Sequence, residues 1–216
     1  MRRIILGIGS LILIGSPILG GCGRTGDGPD EASAGSLVAF VELLSPYSAD
    51  YDPAGSPQEL AERSDVVVTG QFRDAIAGRS LVLNEDPLIE DGYALLVLEI
   101  QKVESGTVEG DSSTVYIEIP FAGDMRELSE AIPKDRTVRA YLSLRNESGS
   151  PRASRKDPVD VVYIPTTPQG LLVDDGSGNV VQPIEHGSRF GGTNLSDFLP
   201  DDVGFPEYDP NAPHEE

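Results

Sequence analysis

Thr137 to Arg145 alternates without a break: Val138, Ala140, Leu142 and Leu144 fall on one side, and Arg139, Tyr141, Ser143 and Arg145 on the other. Side chains of a strand point to opposite faces in turn, so this pattern belongs to a strand with one face against a core. Thr114 to Ile119 repeats it, with Val115, Ile117 and Ile119 inward and Glu118 outward. Gly92 to Glu104 does the same over a longer run, with Leu96, Leu98 and Ile100 on one face. Asp65 to Phe72 is a further strand in which Gly70 predicts a bulge or sharp bend, and Ser80 to Asn84 continues it after a turn. Pro158 to Ile164 is another, and Leu171 to Val173 with Val180 to Val181 flank Asp174-Asp175-Gly176-Ser177-Gly178-Asn179 as a hairpin. The chain has 24 Gly, 17 Pro and no Trp, which suits a turn-rich, mainly β domain.

Two short helices interrupt the strands. Ser56-Pro57-Gln58-Glu59 opens one, since Ser56 caps, Pro57 fits the first helical position and Glu59 completes a capping box. Asp124-Met125-Arg126-Glu127 opens the other, with Met125, Leu128 and Ile132 as its apolar stripe and Pro133 as its stop. Leu37 to Leu44 is an apolar island, either an element packed on the core or a partner-binding segment.

The second helix falls between the third and fourth strands, the slot it occupies in a five-stranded Greek-key barrel of the OB type. The run Ser64-Asp65-Val66-Val67-Val68-Thr69-Gly70, the long strand after it and Arg139-Ala140-Tyr141-Leu142-Ser143-Leu144 resemble bacterial extracytoplasmic domains of netrin/TIMP-like OB type, over roughly residues 57–165. The resemblance implies a small OB-like barrel; another small β-barrel or sandwich is the alternative. Members that inhibit metalloproteases use a disulfide-bonded N-terminal cysteine. Cys22, the only cysteine, has no partner for that role, so the activity is not carried over.

Cys22 closes Leu19-Gly20-Gly21-Cys22, behind a basic start (Arg2, Arg3) and an apolar stretch from Ile4 to Ile14. Gly15, Ser16 and Pro17 break a helix before this point. The pattern resembles the lipobox of secreted bacterial lipoproteins, which implies removal of residues 1–21, a diacylglycerol on the Cys22 sulfur and extracytoplasmic attachment to the cell membrane. Two acyl chains hold a protein stably where one does not. The rivals are an uncleaved transmembrane helix over Ile4 to Gly21, which Pro17 and five glycines weaken, and ordinary secretion. The resulting organisation is a signal peptide at 1–21, a lipidated tether and linker at 22–55, an OB-like domain with its hairpin at 56–185 and an irregular acidic tail at 186–216. Within the linker, Gly23 to Ser36 reads as a flexible tether.

Without residues 1–21 the chain keeps 14 basic and 36 acidic residues, a net charge of −22. That excludes nucleic acid as a general partner, because phosphate contacts need a basic surface. Seven of the 14 fall between Lys134 and Lys156: Lys134, Arg136, Arg139, Arg145, Arg152, Arg155 and Lys156. Only Asp135 and Glu147 oppose them, so the stretch carries +5 against −27 for the rest. Most of it forms the loop between the fourth and fifth strands, which OB-type barrels use for ligands. Arg139, Arg145, Arg152, Arg155 and Lys156 are therefore the candidates for contact with an anionic partner such as lipid headgroups, cell-wall polymer or an acidic protein. The competing reading is a solvated loop that offsets acidic neighbours.

Catalysis has little support. The chain has no G-x-S-x-G elbow, phosphate loop or H-E-x-x-H motif. His186, near Glu185 and Ser188, is the one histidine placed to serve an enzyme; His214 lies almost at the C-terminus. The Asp174–Asn179 run invites a calcium reading but lacks the ligand spacing of an EF-hand loop, and a hairpin turn explains it. No cofactor or metal is expected. The function expected is a lipid-anchored envelope binding or assembly module, with a hydrolase-type enzyme using His186 or a calcium-dependent surface protein as alternatives.

Overall fold

The computed structural model describes residues 29–45, 51–82, 90–110, 113–146, 153–177, 179–184 and 188–190. In chain order these form α1 (Pro29–Leu44), α2 (Pro57–Arg63), β1 (Val66–Val82), β2 (Glu90–Gly106), β3 (Thr114–Pro120), α3 (Met125–Ala131), β4 (Thr137–Leu144), β5 (Ala153–Arg155), β6 (Tyr163–Pro165), β7 (Leu171–Asp174), β8 (Val180–Gln182) and β9 (Ser188–Phe190). The protein is mainly β.

Five strands close into a ring. β1 pairs β2, β2 pairs β3, β3 meets β6 in parallel, β6 pairs β4, and β4 returns to β1. With α3 between the third and fourth ring strands, this is the OB-like order expected from the sequence. β4 also pairs β7, and β8 and β9 extend the sheet from there.

The ring closes because β1 bends. Its ladder with β2 shifts register at four places, one of them between Thr69 and Gly70. A Cβ at Gly70 would lie 2.1 Å from the Glu99 carbonyl oxygen, so only glycine allows the two backbones this crossing. Ser80 to Val82 continues β1 through a further shift, not through a turn. The fifth ring strand is shorter than expected, Tyr163–Pro165 in place of 158–164. Ser188–Phe190, read as part of an irregular tail, is a strand against β8.

Most of the side chains read as inward are buried, but Leu144, also read as inward, is exposed where β4 runs out. Val66, Val68, Phe72, Leu96, Leu98, Val115, Ile117, Ile119, Val138, Ala140 and Leu142 share one buried cluster. Each large side chain in it contributes about 1.5–3 kcal/mol relative to exposure. One end of the ring is plugged by helices. Leu128 and Ile132 fill it from the α3 segment, and Leu37, Phe40 and Leu44 fill it from α1, with the Phe40 and Phe72 rings 5.7 Å apart. The apolar island is thus a core element, and its helix begins at Pro29, inside the stretch read as tether.

The two expected caps form. Ser56 Oγ accepts from the Glu59 amide, and the Glu59 carboxylate takes the amide of Gly55, one residue before the cap. Asp124 accepts from the Arg126 amide. α2 lies on the outer face of the ring, where Leu60 packs with Val67, Tyr141, Leu172 and Val180 in a second apolar cluster.

Candidate functional site

β4 runs out at Leu144, and Arg145 begins the loop with the highest density of basic residues. The described parts of that loop form a strap that reaches β1 and the outward side of β3. β5 pairs with β1 at Ser80 and Leu81. Between Ala77 and Ser80 the β1 ladder skips Gly78 and Arg79, and a bulge of this kind leaves backbone groups without ladder partners. The strap supplies them: Arg155 Nε donates to the Gly78 carbonyl (2.7 Å), and the Arg79 amide donates to Asp157 Oδ1 (2.8 Å).

Four charges meet beneath it. Glu118, on the outward side of β3, accepts from Arg79 Nη2 (2.9 Å) and from Arg145 Nη1 (2.6 Å). Arg145 Nη2 lies 2.7 Å from Asp157 Oδ2. Side-chain exposure is 7 % for Arg145, 4 % for Glu118, 5 % for Asp157 and 12 % for Arg79. The Arg79 guanidinium also sits 5.2 Å from the centre of the Tyr93 ring. Burial works against the Arg145 charge, but the bonds to Asp157 and Glu118 overcome it and raise its pKa above the usual arginine value. Two cations against two carboxylates make the set neutral.

This arrangement corrects the reading of Arg145 as a contact for an external anion. Its guanidinium is enclosed and shared by two carboxylates of its own chain. Arg139 is also engaged, 3.7 Å from Glu104 and only 14 % exposed. Glu104 further accepts from Thr69 Oγ1 (3.1 Å) and pairs with Lys102. Burial raises the Glu104 pKa, and the bonds from Lys102 and Thr69, with the Arg139 charge, pull it below the ordinary value. Burial lifts the neighbouring Tyr141 hydroxyl above its usual range. Arg136 lies against the β7–β8 turn, where a Cβ at Gly176 would strike its guanidinium.

Arg155 and Lys156 remain exposed on the strap, and Lys134 is exposed beyond α3. Arg152, His186, His214 and Cys22 lie outside the described residues. The alternation marks Glu118 as outward but carries no sign that it is covered. Arg79 carries no such sign either, because it meets Glu118 from 39 residues away and Asp157 from 78.

The Asp174–Asn179 run is a self-contained turn. Asp175 accepts from the Ser177 amide and hydroxyl and from the Asn179 amide and side chain. Partial burial opposes its charge, but these bonds win and hold its pKa at about 2. Among the described residues no group of three or more His, Cys, Asp or Glu is arranged to hold a metal ion. Among them, too, no helix is long and apolar enough to cross a membrane.

Comparison with known protein families, curated proteins and solved structures yields no match.

Proposed function

We propose that the protein is a lipid-anchored binding or assembly module of the bacterial cell envelope, acting through its surface and not through a catalytic centre. The observation that carries this reading is Leu19-Gly20-Gly21-Cys22 behind a basic start and an apolar stretch. The resemblance of that pattern to a lipobox supports extracytoplasmic attachment to the cell membrane. The domain's polar clusters support a surface role, since the buried charges beneath the strap are paired with one another. The contact surface for an envelope protein or an anionic polymer is then the exposed edge of the strap, Arg155 and Lys156, with Arg152 of the same loop.

Crosslinking in intact cells tests this, with the lipidated protein beside a variant carrying Arg152→Glu, Arg155→Glu and Lys156→Glu. The reading expects one defined partner whose capture falls as salt rises and is lost in the variant. Capture unchanged by charge reversal would remove the strap as the contact surface. No partner in either sample would sink the binding module itself.

A further inference from the structure

The start of α1 changes how far the domain can stand from its anchor. Read as flexible chain, residues 23–36 would let it range widely. The helix begins at Pro29, so only Gly23 to Gly28 separate it from Cys22. Fully extended, that link spans about 25 Å, close to the length of a seven-residue strand such as β3, about 23 Å.

α1 is fixed to the ring. Leu37, Phe40 and Leu44 are almost fully buried in the core, and α1 packs on α3 at the plugged end. α3 is tied in turn to β1, where Ser129 Oγ donates to the Asp74 carboxylate. The opposite end holds the start of β1, the end of β2 and the end of β4. Two of the exposed large apolar side chains, Val103 and Leu144, are there, and Glu109 follows just beyond β2. A net charge of −22 is repelled by anionic headgroups, so no general attraction lays the domain on its side.

Resting on the lipid-anchored reading, we propose that the ring stands on the membrane on its α1–α3 end and presents the end carrying Val103, Leu144 and Glu109 away from the bilayer. The lipid surface is the neighbour of the helical end. A protein partner approaching from outside meets the strand end first.

Lipidation consumes the only native thiol, so an introduced cysteine is the sole labelling site. Glu130→Cys, on exposed α3, and Glu109→Cys, at the far end, are each labelled with a fluorophore. The full lipidated chain is placed in vesicles of phosphatidylethanolamine and phosphatidylglycerol carrying a headgroup acceptor. Energy transfer several-fold higher from position 130 than from 109 is expected. Equal or reversed transfer from vesicle-bound protein would overturn the orientation and leave the anchor standing. Failure of the processed protein to bind vesicles would overturn the anchor, and the orientation with it.

Discussion

The two faces of the ring hold together by opposite means. The inner face is apolar throughout, built from Phe72, Leu96, Leu98, Ile117 and their neighbours. The outer face beneath the strap is held by Arg79, Glu118, Arg145 and Asp157. Burying apolar area stabilises with little regard to direction, so the inner face tolerates repacking. A buried ion set gains little net energy over an apolar one, but loses a great deal when a single member goes. The inner face thus makes the ring stable, and the outer face fixes where the strap lies.

The contrast can be broken from either side. Phe72→Ala leaves a cavity in the fully buried interior, with an expected loss of about 3–5 kcal/mol in denaturant unfolding. Glu118→Ala removes the carboxylate that two enclosed guanidinium groups share, and a loss of about 3 kcal/mol is expected. Hydrogen exchange should show that loss first in β5 and at Asp157; exchange rising equally in β2 would erase the distinction between the faces. Ser56→Ala removes the α2 cap and should cost about 1 kcal/mol. Arg155→Ser with Lys156→Ser should change stability by only about 0.5–1 kcal/mol, because one bond to Gly78 is lost and no buried charge is exposed.

Acid titration sharpens the same point at a third place. The Asp175 pKa is depressed from 3.8 to about 2, so its bonds stabilise the fold above the higher value. That contribution fades as pH falls from about 4 towards 2. Asp175→Asn should therefore flatten the loss of stability in this window, as followed by thermal melting. An unchanged profile would mean that the folded turn holds the Asp175 carboxylate no better than the unfolded chain does.

The inner face was legible because alternation reports it directly. Val138, Ala140 and Leu142 were assigned inward and are buried, and the helix between the third and fourth ring strands sits where its capping residues put it. The outer face was not, because period two says only that Tyr141, Arg145 and Glu118 point away from the core. It cannot say that α2 and the strap cover them. The covering segments are distant in sequence, and the charges that fasten the strap look like any solvated run. The α1 helix was half visible: Leu37 to Leu44 is plainly apolar, but the turns before it have no capping pattern among their small and acidic residues.

The most direct test of the account is intact mass analysis of the mature protein recovered from the membrane fraction of bacterial cells. The account predicts an N-terminus at Cys22 carrying diacylglycerol, and release of the protein from membranes on Cys22→Ser. A chain that retains residues 1–21, or a Cys22→Ser variant still held on the membrane, would contradict it.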